Sequence, residues 1–343
     1  MTTLIVSACS GGPAAPAATA TVAPAATLVP ATALINAVTP TPGALPTEPD
    51  TATPAASTTP AASATPQAGP TPAATTAPNP VLLAAGDIAS CLSSGDEATA
   101  EIINAISGTV ATLGDNVYER GSGAEFKNCF DQNWGAFKDR IHPAPGNHEY
   151  ETPGALGYFS YFGAAAGKIG QGYYSYDLGA WHVIALNSQC WDVGGCGVAA
   201  PQSQWLKADL AAHANMCTLA YWHTPRFSSG AHGDNTLIQA FWDLLYAGGA
   251  DLVLNGHDHD YERFAPQDPQ GQADAARGIR EIVVGTGGRS HYPFLLGPQA
   301  NTEARNDATY GVLKLTLHPA GYDFEFLPVA GQTFTDAGSG ACH

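Results

Sequence analysis

The sequence predicts an α/β fold, and three observations carry that expectation. Two short apolar runs, 80–85 and 109–113, each lead into Gly-Asp and are separated by a segment with helical apolar spacing, as in a β-α-β crossover. Two further runs, 218–222 and 250–254, are almost continuously apolar and end in histidine-bearing loops, which suits strands buried on both faces. Two antiparallel pairs, 172–178 with 181–187 and 311–317 with 322–328, are joined by short glycine-containing links.

Taken in order, the first strand delivers Asp87 at its carboxyl end, a costly place for a carboxylate unless it is paired or metal-bound. A helix is expected over 96–106, with Ala98, Ile102, Ile103 and Ile106 on one face and Gly108 as its stop. The second strand ends in Gly114-Asp115, followed by Asn116, Val117 and Tyr118. A helix over 124–138 leads to Gly146-Asn147-His148-Glu149-Tyr150, where a glycine turns the chain and an amide and an imidazole follow. A helix over 201–214 places Trp205, Leu206 and Leu210 in the core, and the next strand closes on His223 and Pro225. Arg226 and His232 lie in the Gly/Ser loop beyond it, before a helix over 236–246.

The richest stretch is Asn255-Gly256-His257-Asp258-His259. Alternation along an extended backbone would put both rings on one side, so that His257 and His259 share one cluster. Ligand crevices of open α/β sheets form at this carboxyl edge. The strand 280–284 then runs into Gly285-Thr286-Gly287-Gly288, read as a tight turn near the site rather than a phosphate cradle, since no Lys-Ser/Thr follows. The histidines at 142, 182, 213, 318 and 343 match no pattern and are read as core or surface.

Composition separates this core from what precedes it. The first eighty of the 343 residues contain no Lys, Arg, Phe, Trp or Tyr and hold 15 of the 26 prolines, too little apolar surface to offset ordering entropy. Three segments are therefore expected: a truncated lipoprotein signal at 1–9, a Pro/Ala/Thr-rich stalk at 10–78 and a folded domain at 79–343. Val6-Ser7-Ala8-Cys9 resembles a bacterial lipoprotein cleavage box, although no basic segment precedes it and the apolar run is short, so Cys9 is the lipidation candidate. An extracellular or cell-surface location follows, with membrane contact only through that lipid. The net charge is −17, and the folded part has 28 acids against 13 Lys and Arg. Nucleic acid and anionic membrane surfaces are excluded as partners by that sign.

Setting Cys9 aside leaves six cysteines and no Cys-x-x-Cys, which favours disulfides over a thiolate metal site. Cys190 and Cys196 bracket five residues and are expected to close a local loop. Cys91 with Cys129 and Cys217 with Cys342 is the pairing assigned to the rest, which spacing alone does not fix.

Collected in order, the strand-end groups are Asp87, Asp115, Tyr118, Asn147, His148, His223, His257 and His259. They are too many for one ion and suit two, with one carboxylate bridging. Two metals about 3.5–4 Å apart clamp the attacking and leaving oxygens of a phosphoryl displacement. A hydroxide held by them would be the nucleophile, so no Ser or Cys is required.

This ordered set resembles the calcineurin-like metallophosphoesterases, and most closely their purple acid phosphatase branch. The blocks are Asp87-Ile88-Ala89, Gly114 to Tyr118, Gly146 to Glu149, His223 and Gly256 to His259; Ala89 departs from the family's glycine. The resemblance implies a four-layer α/β/β/α architecture, a β-sandwich flanked by helices. It also implies that Asp87, Asp115, Tyr118 and His259 hold one metal, while Asp115 bridges to a second held by Asn147, His223 and His257. His148 would contact the phosphate or protonate the leaving oxygen, His232 would be a second substrate-side histidine, and Arg226 a phosphate contact. A phenolate at Tyr118, with no histidine at position 89, implies Fe(III) paired with Zn, Mn or Fe(II). The implied function is hydrolysis of small phosphate monoesters by an acid phosphatase-like enzyme. A phosphodiesterase on the same scaffold is the alternative, and a non-catalytic surface binding protein is the alternative of another class.

Overall fold

The computed structural model describes residues 78–343 apart from Asn215 and Leu296. The lipidation candidate Cys9, the segment 1–9 and the stalk up to residue 77 lie outside the described residues. Strand β1 (Val81–Ala85) shows why the chain layers as it does. Its residues alternate between two apolar environments, Leu82 and Ala84 facing one cluster and Leu83 and Ala85 another, all fully buried. A strand apolar on both faces needs cover on both. Each fully buried leucine contributes roughly 1.5–3 kcal/mol.

Around β1, the first sheet adds β3 (Thr109–Leu113), β5 (Ile141–Ala144), β13 (Gly311–His318), β14 (Gly321–Pro328) and β15 (Ala337–Ala341), in the order β15-β14-β13-β1-β3-β5. The β1, β3 and β5 neighbours are parallel, so three carboxyl ends open on one edge. A small parallel ribbon, β2 (Ala89–Ser90) with β4 (Val117–Tyr118), continues two of them. The second sheet contains β6 (Tyr174–Leu178), β7 (Trp181–Ala185), β8 (Cys217–Tyr221), β9 (Leu252–Asn255), β10 (Tyr261–Phe264), β11 (Arg280–Val284) and β12 (Thr302–Asn306), in the order β12-β10-β11-β9-β8-β7-β6.

The inner faces pack together, with Leu82, Ala111 and Leu313 of the first sheet clustered with Val183, Leu219, Leu252 and Ile282 of the second. The outer face of the first sheet is covered by α1 (Gly95–Ala105), an irregular helical stretch over 123–140, the short α2 (Asn147–Tyr150) and α3 (Leu156–Phe162). The outer face of the second is covered by α4 (Pro201–Ala212) and α5 (Gln239–Ala247), through Leu206, Leu210, Phe241 and Leu245. The result is the α/β/β/α sandwich that the resemblance implies.

Several elements differ from expectation. The helix expected over 124–138 is broken into short turns, including a π-helical turn at Phe126–Phe130 and a 3-10 segment at Trp134–Arg140 with non-helical Phe137. Here Phe126, Phe130 and Trp134 are all buried and Cys129 is bonded to Cys91, so tertiary packing overrides local helix spacing. Strands β2, β4, β5, β10, β12 and β15 were not expected. The other disulfides join Cys190 to Cys196 and Cys217 to Cys342, the latter pinning the carboxyl terminus across a sequence separation of 125. A loop of that order is worth about 4–5 kcal/mol in chain entropy. Among the described residues no helix is long and apolar enough to cross a membrane.

Candidate metal centre

The carboxyl edges of the two sheets meet where Gly86 N–H donates to the Val284 carbonyl and Gly287 N–H to that of Gly86. Three polar residues at this seam have left-handed backbones: Asp87 (φ 59°), Asp115 (φ 45°) and His257 (φ 74°). Such conformations are uncommon outside glycine and cluster at functional sites. Two glycines preceding these residues are there for space. A Cβ on Gly114, itself at φ +84°, would lie 2.7 Å from His223 Nδ1, and one on Gly256 would lie 2.5 Å from Asp87 Oδ2. The left-handed turn at His257 also corrects the reasoning that paired the two histidines. The chain is not extended there, and their rings face different donors.

One group of donors consists of Asp87, Asp115, Tyr118 and His259. The Tyr118 hydroxyl lies 2.7 Å from Asp87 Oδ1, 2.9 Å from Asp115 Oδ2 and 3.1 Å from His259 Nε2, which is itself 3.3 Å from Asp87 Oδ1. The other consists of Asp115, Asn147, His223 and His257. His223 Nε2 lies 3.2 Å from Asp115 Oδ2, 3.1 Å from Asn147 Oδ1 and 3.2 Å from His257 Nδ1. Asp115 Oδ2 belongs to both. An ion with bonds of about 2.1 Å holds neighbouring donors about 3.0 Å apart in octahedral and about 3.4 Å in tetrahedral geometry. Both groups have that spacing, so the residues fit two ions sharing one carboxylate. Second partners orient the rings for this: His223 Nδ1 meets the Leu113 carbonyl at 2.9 Å and His259 Nδ1 meets Ser290 Oγ at 2.8 Å, leaving both Nε2 atoms to the centre.

Burial and the clustered carboxylates shift these groups in different directions. Burial pushes the Tyr118 phenol far above its usual range, and Asp115 and Asp87 push it further. Burial lowers His223, but the Asp115 carboxylate outweighs it and raises the imidazole to about 10. Burial, with the charges of His223 and His232, depresses His257 to about 4. The Asp115 carboxylate thus favours the charged form of the His223 imidazole.

The remaining candidates divide. His148 packs at a tilt against Tyr118 with ring centroids 4.3 Å apart, its Nε2 3.8 Å from Asp115 Oδ2, with 28% of its side chain exposed. His232 packs at 4.2 Å against His257, and its Nδ1 meets Asp258 Oδ1 at 2.8 Å. Arg226 is not brought to the centre. Its Nε donates to Gln239 Oε1 at 2.7 Å and its guanidinium stacks on Phe227, a buried arrangement unsuited to a phosphate contact.

Besides Ser290, sequence reasoning missed four supporting residues. Asp258 holds His232, and its position between two histidines was the available signal. Glu149 is fully buried and accepts from Asn116 N–H and Gly146 N–H, tying two site loops together. Burial and Asp115 raise its carboxyl to about 7. Beyond the glycine turn, Tyr292 stacks at 4.0 Å on His259, and Arg289 lies over the Tyr118 ring at 5.1 Å while pairing with Glu119. Only the nearness of that turn to the strand edge pointed to them.

A model of the calcineurin-like phosphoesterase family matches residues 81–261, just over half of the chain. The chain belongs to that family. Its curated relatives place it near the purple acid phosphatases: it is 32% identical over 149 residues to purple acid phosphatase 15 of Arabidopsis thaliana, covering 38% of this chain and 27% of that one. It is 30% identical over 144 residues to human acid phosphatase type 7, covering 36% of this chain and 32% of that one. The chain thus spans well under half the length of these relatives. Among solved structures, a purple acid phosphatase from yellow lupin (Lupinus luteus) seeds superposes with a TM-score of 0.59 at 17% identity, covering 76% of this chain and 53% of that one. The GAP50 anchor of the Plasmodium inner membrane complex superposes at 0.62 with 14% identity, covering 78% and 90%. At such identities the structures speak for the fold alone.

Proposed function

We propose that this chain is a binuclear-metal phosphoesterase that hydrolyses small phosphate monoesters. The observation that carries the reading is the pair of donor groups joined through Asp115 Oδ2. In it, Asp87, Asp115, Tyr118 and His259 hold Fe(III), and Asp115, Asn147, His223 and His257 hold Zn, Mn or Fe(II). A phenol and two carboxylates are hard anionic donors suited to a trivalent ion. Such a pair supplies Lewis acidity and activates water. The chain's own groups do the rest. His148, partly exposed beside Asp115, delivers a proton to the leaving oxygen. His232, held by Asp258, faces the substrate from the other histidine wall. Arg226 has no part.

Three disulfides and the relatives' class support an exported protein. The lipid at Cys9, the stalk at 10–78 as a spacer and the catalytic domain at 79–343 belong to the same proposal. A binding protein on this fold would not need His148 or the complete donor set. The test is metal content and visible absorption of the purified full chain, with turnover of p-nitrophenyl phosphate and of its bis-ester. About one Fe per chain, a broad visible band and faster monoester turnover are expected. Two bound metals without turnover of either ester would overturn the hydrolase reading.

A further inference from the structure

Two histidines that matched no sequence pattern, His182 and His213, come together at the end of the second sheet away from the metal centre. His182 is the second residue of β7 and His213 follows α4, and their rings lie nearly parallel with centroids 3.7 Å apart. Asp209 holds both: its Oδ2 meets His182 Nε2 at 2.7 Å and its backbone carbonyl meets His213 Nδ1 at 2.8 Å. Ser175 Oγ donates to Asp209 Oδ1 at 2.8 Å and fixes the carboxylate. Each imidazole thus spends one nitrogen on an orienting oxygen and turns the other elsewhere, the arrangement that accompanies metal-ligating histidines. For His182 the other nitrogen, Nδ1, faces Asp177 Oδ1 at 3.0 Å, a contact that requires a proton or a cation between them.

We propose that Asp177, His182 and His213 form a zinc-binding site, with Asp209 as the residue that orients both rings. One donor atom from each of the three lies within 4.8 Å of the other two, a spacing that Asp87, Asp115 and His223 of the metal centre also meet. Cys217, Asp251 and Cys342 meet it too, but their sulfurs are joined in a disulfide. Two imidazoles and a carboxylate are a zinc donor set with an open fourth position for water. Tetrahedral geometry needs donors at about 3.3 Å, so the group must close. The parts that move are the exposed ones: Asp177 and His213 have side chains 55% and 30% exposed, whereas His182 is 1% exposed and stays fixed. The His213 ring tilts out of its stack to reach the ion, and zinc then staples the end of α4 to the β6–β7 hairpin.

The experiment compares the full chain, with its centre already loaded, against His213→Ala and the surface variant Asp177→Asn. Zinc is titrated, the proteins are desalted, and metal per chain is counted by mass spectrometry. The parent should retain one more zinc than either variant, and saturating zinc should raise its Tm by about 5 °C or more beyond any rise in the variants. Turnover of p-nitrophenyl phosphate should be the same in all three. Equal zinc counts, or an equal Tm rise, would overturn the site. The readout is a difference between proteins with identical centres, so it does not depend on whether that centre hydrolyses esters.

Discussion

The two halves of the metal centre are built from different materials. The half around Tyr118 has a phenol, two carboxylates and one imidazole; the half around His223 has the shared carboxylate, one amide oxygen and two imidazoles. The first concentrates negative charge in a fully buried place, which costs several kcal/mol per ion unless a compensating charge is present. The second has only the shared carboxylate, with the charged form of the His223 imidazole favoured beside it. The proposed pairing of a hard trivalent ion with a borderline divalent one matches this asymmetry.

The largest effect is expected at the one group the halves share. Asp115→Asn should remove metal from both, and the fall in turnover should exceed the roughly 10–100-fold that follows loss of a ligand's orienting partner. Retention of one tightly bound ion by Asp115→Asn would show that the carboxylate does not bridge. Tyr118→Phe should separate the halves: the visible band disappears and metal is lost from the anionic half, while the His223 half keeps its ion. A visible band that survives this substitution would take Fe(III) off the phenol. A smaller, one-sided effect is expected from Ser290→Ala, which frees His259 Nδ1. Affinity for the ion of the anionic half should weaken about 10–100-fold, with the second ion unaffected; equal weakening of both would mean that the halves are not separately held.

The residues of both halves were legible in the sequence because most of them follow a glycine at the end of an apolar run. That signal is local, and the backbone reads it out directly in Gly114-Asp115 and Gly256-His257. What surrounds them was not legible, because it depends on contacts between distant segments. Ser290 reaches His259 from a different strand end, and Arg226, next to a predicted ligand, is captured instead by Gln239 on the following helix. Strand β10 escaped notice because Glu262 in it is fully buried, its carboxylate accepting from Ser229 in a loop and from Thr302 at the start of β12. Periodicity assumes that charges face water, so a buried carboxylate conceals a strand. The broken helix over 123–140 has the same cause, since a disulfide and a cluster of aromatic side chains replaced local spacing as the deciding influence.

A last, smaller test keeps the comparison of the halves from being confused with stability. Turnover that declines in acid has two explanations, protonation within a half or loss of the fold. The fold contains a suitable reporter away from both halves: His142 on β5 stacks at 4.0 Å on Tyr176, and burial pushes its pKa below the ordinary 6.5. The unfolded chain therefore takes up a proton at this position before the folded one does. Its contribution to stability is complete above about pH 6.5 and is lost as pH falls from there toward the depressed folded value. His142→Phe preserves the ring stack and removes the titration. Chemical unfolding should then show a shallower decline of stability between pH 7 and 5 than in the parent, and parallel curves would remove His142 from the account. If the acid limb of turnover stays in place while the stability curve flattens, that limb arises within the halves. If the two move together, the decline measures the fold, and differences in acid between Tyr118→Phe and the parent must be compared at matched fractions folded.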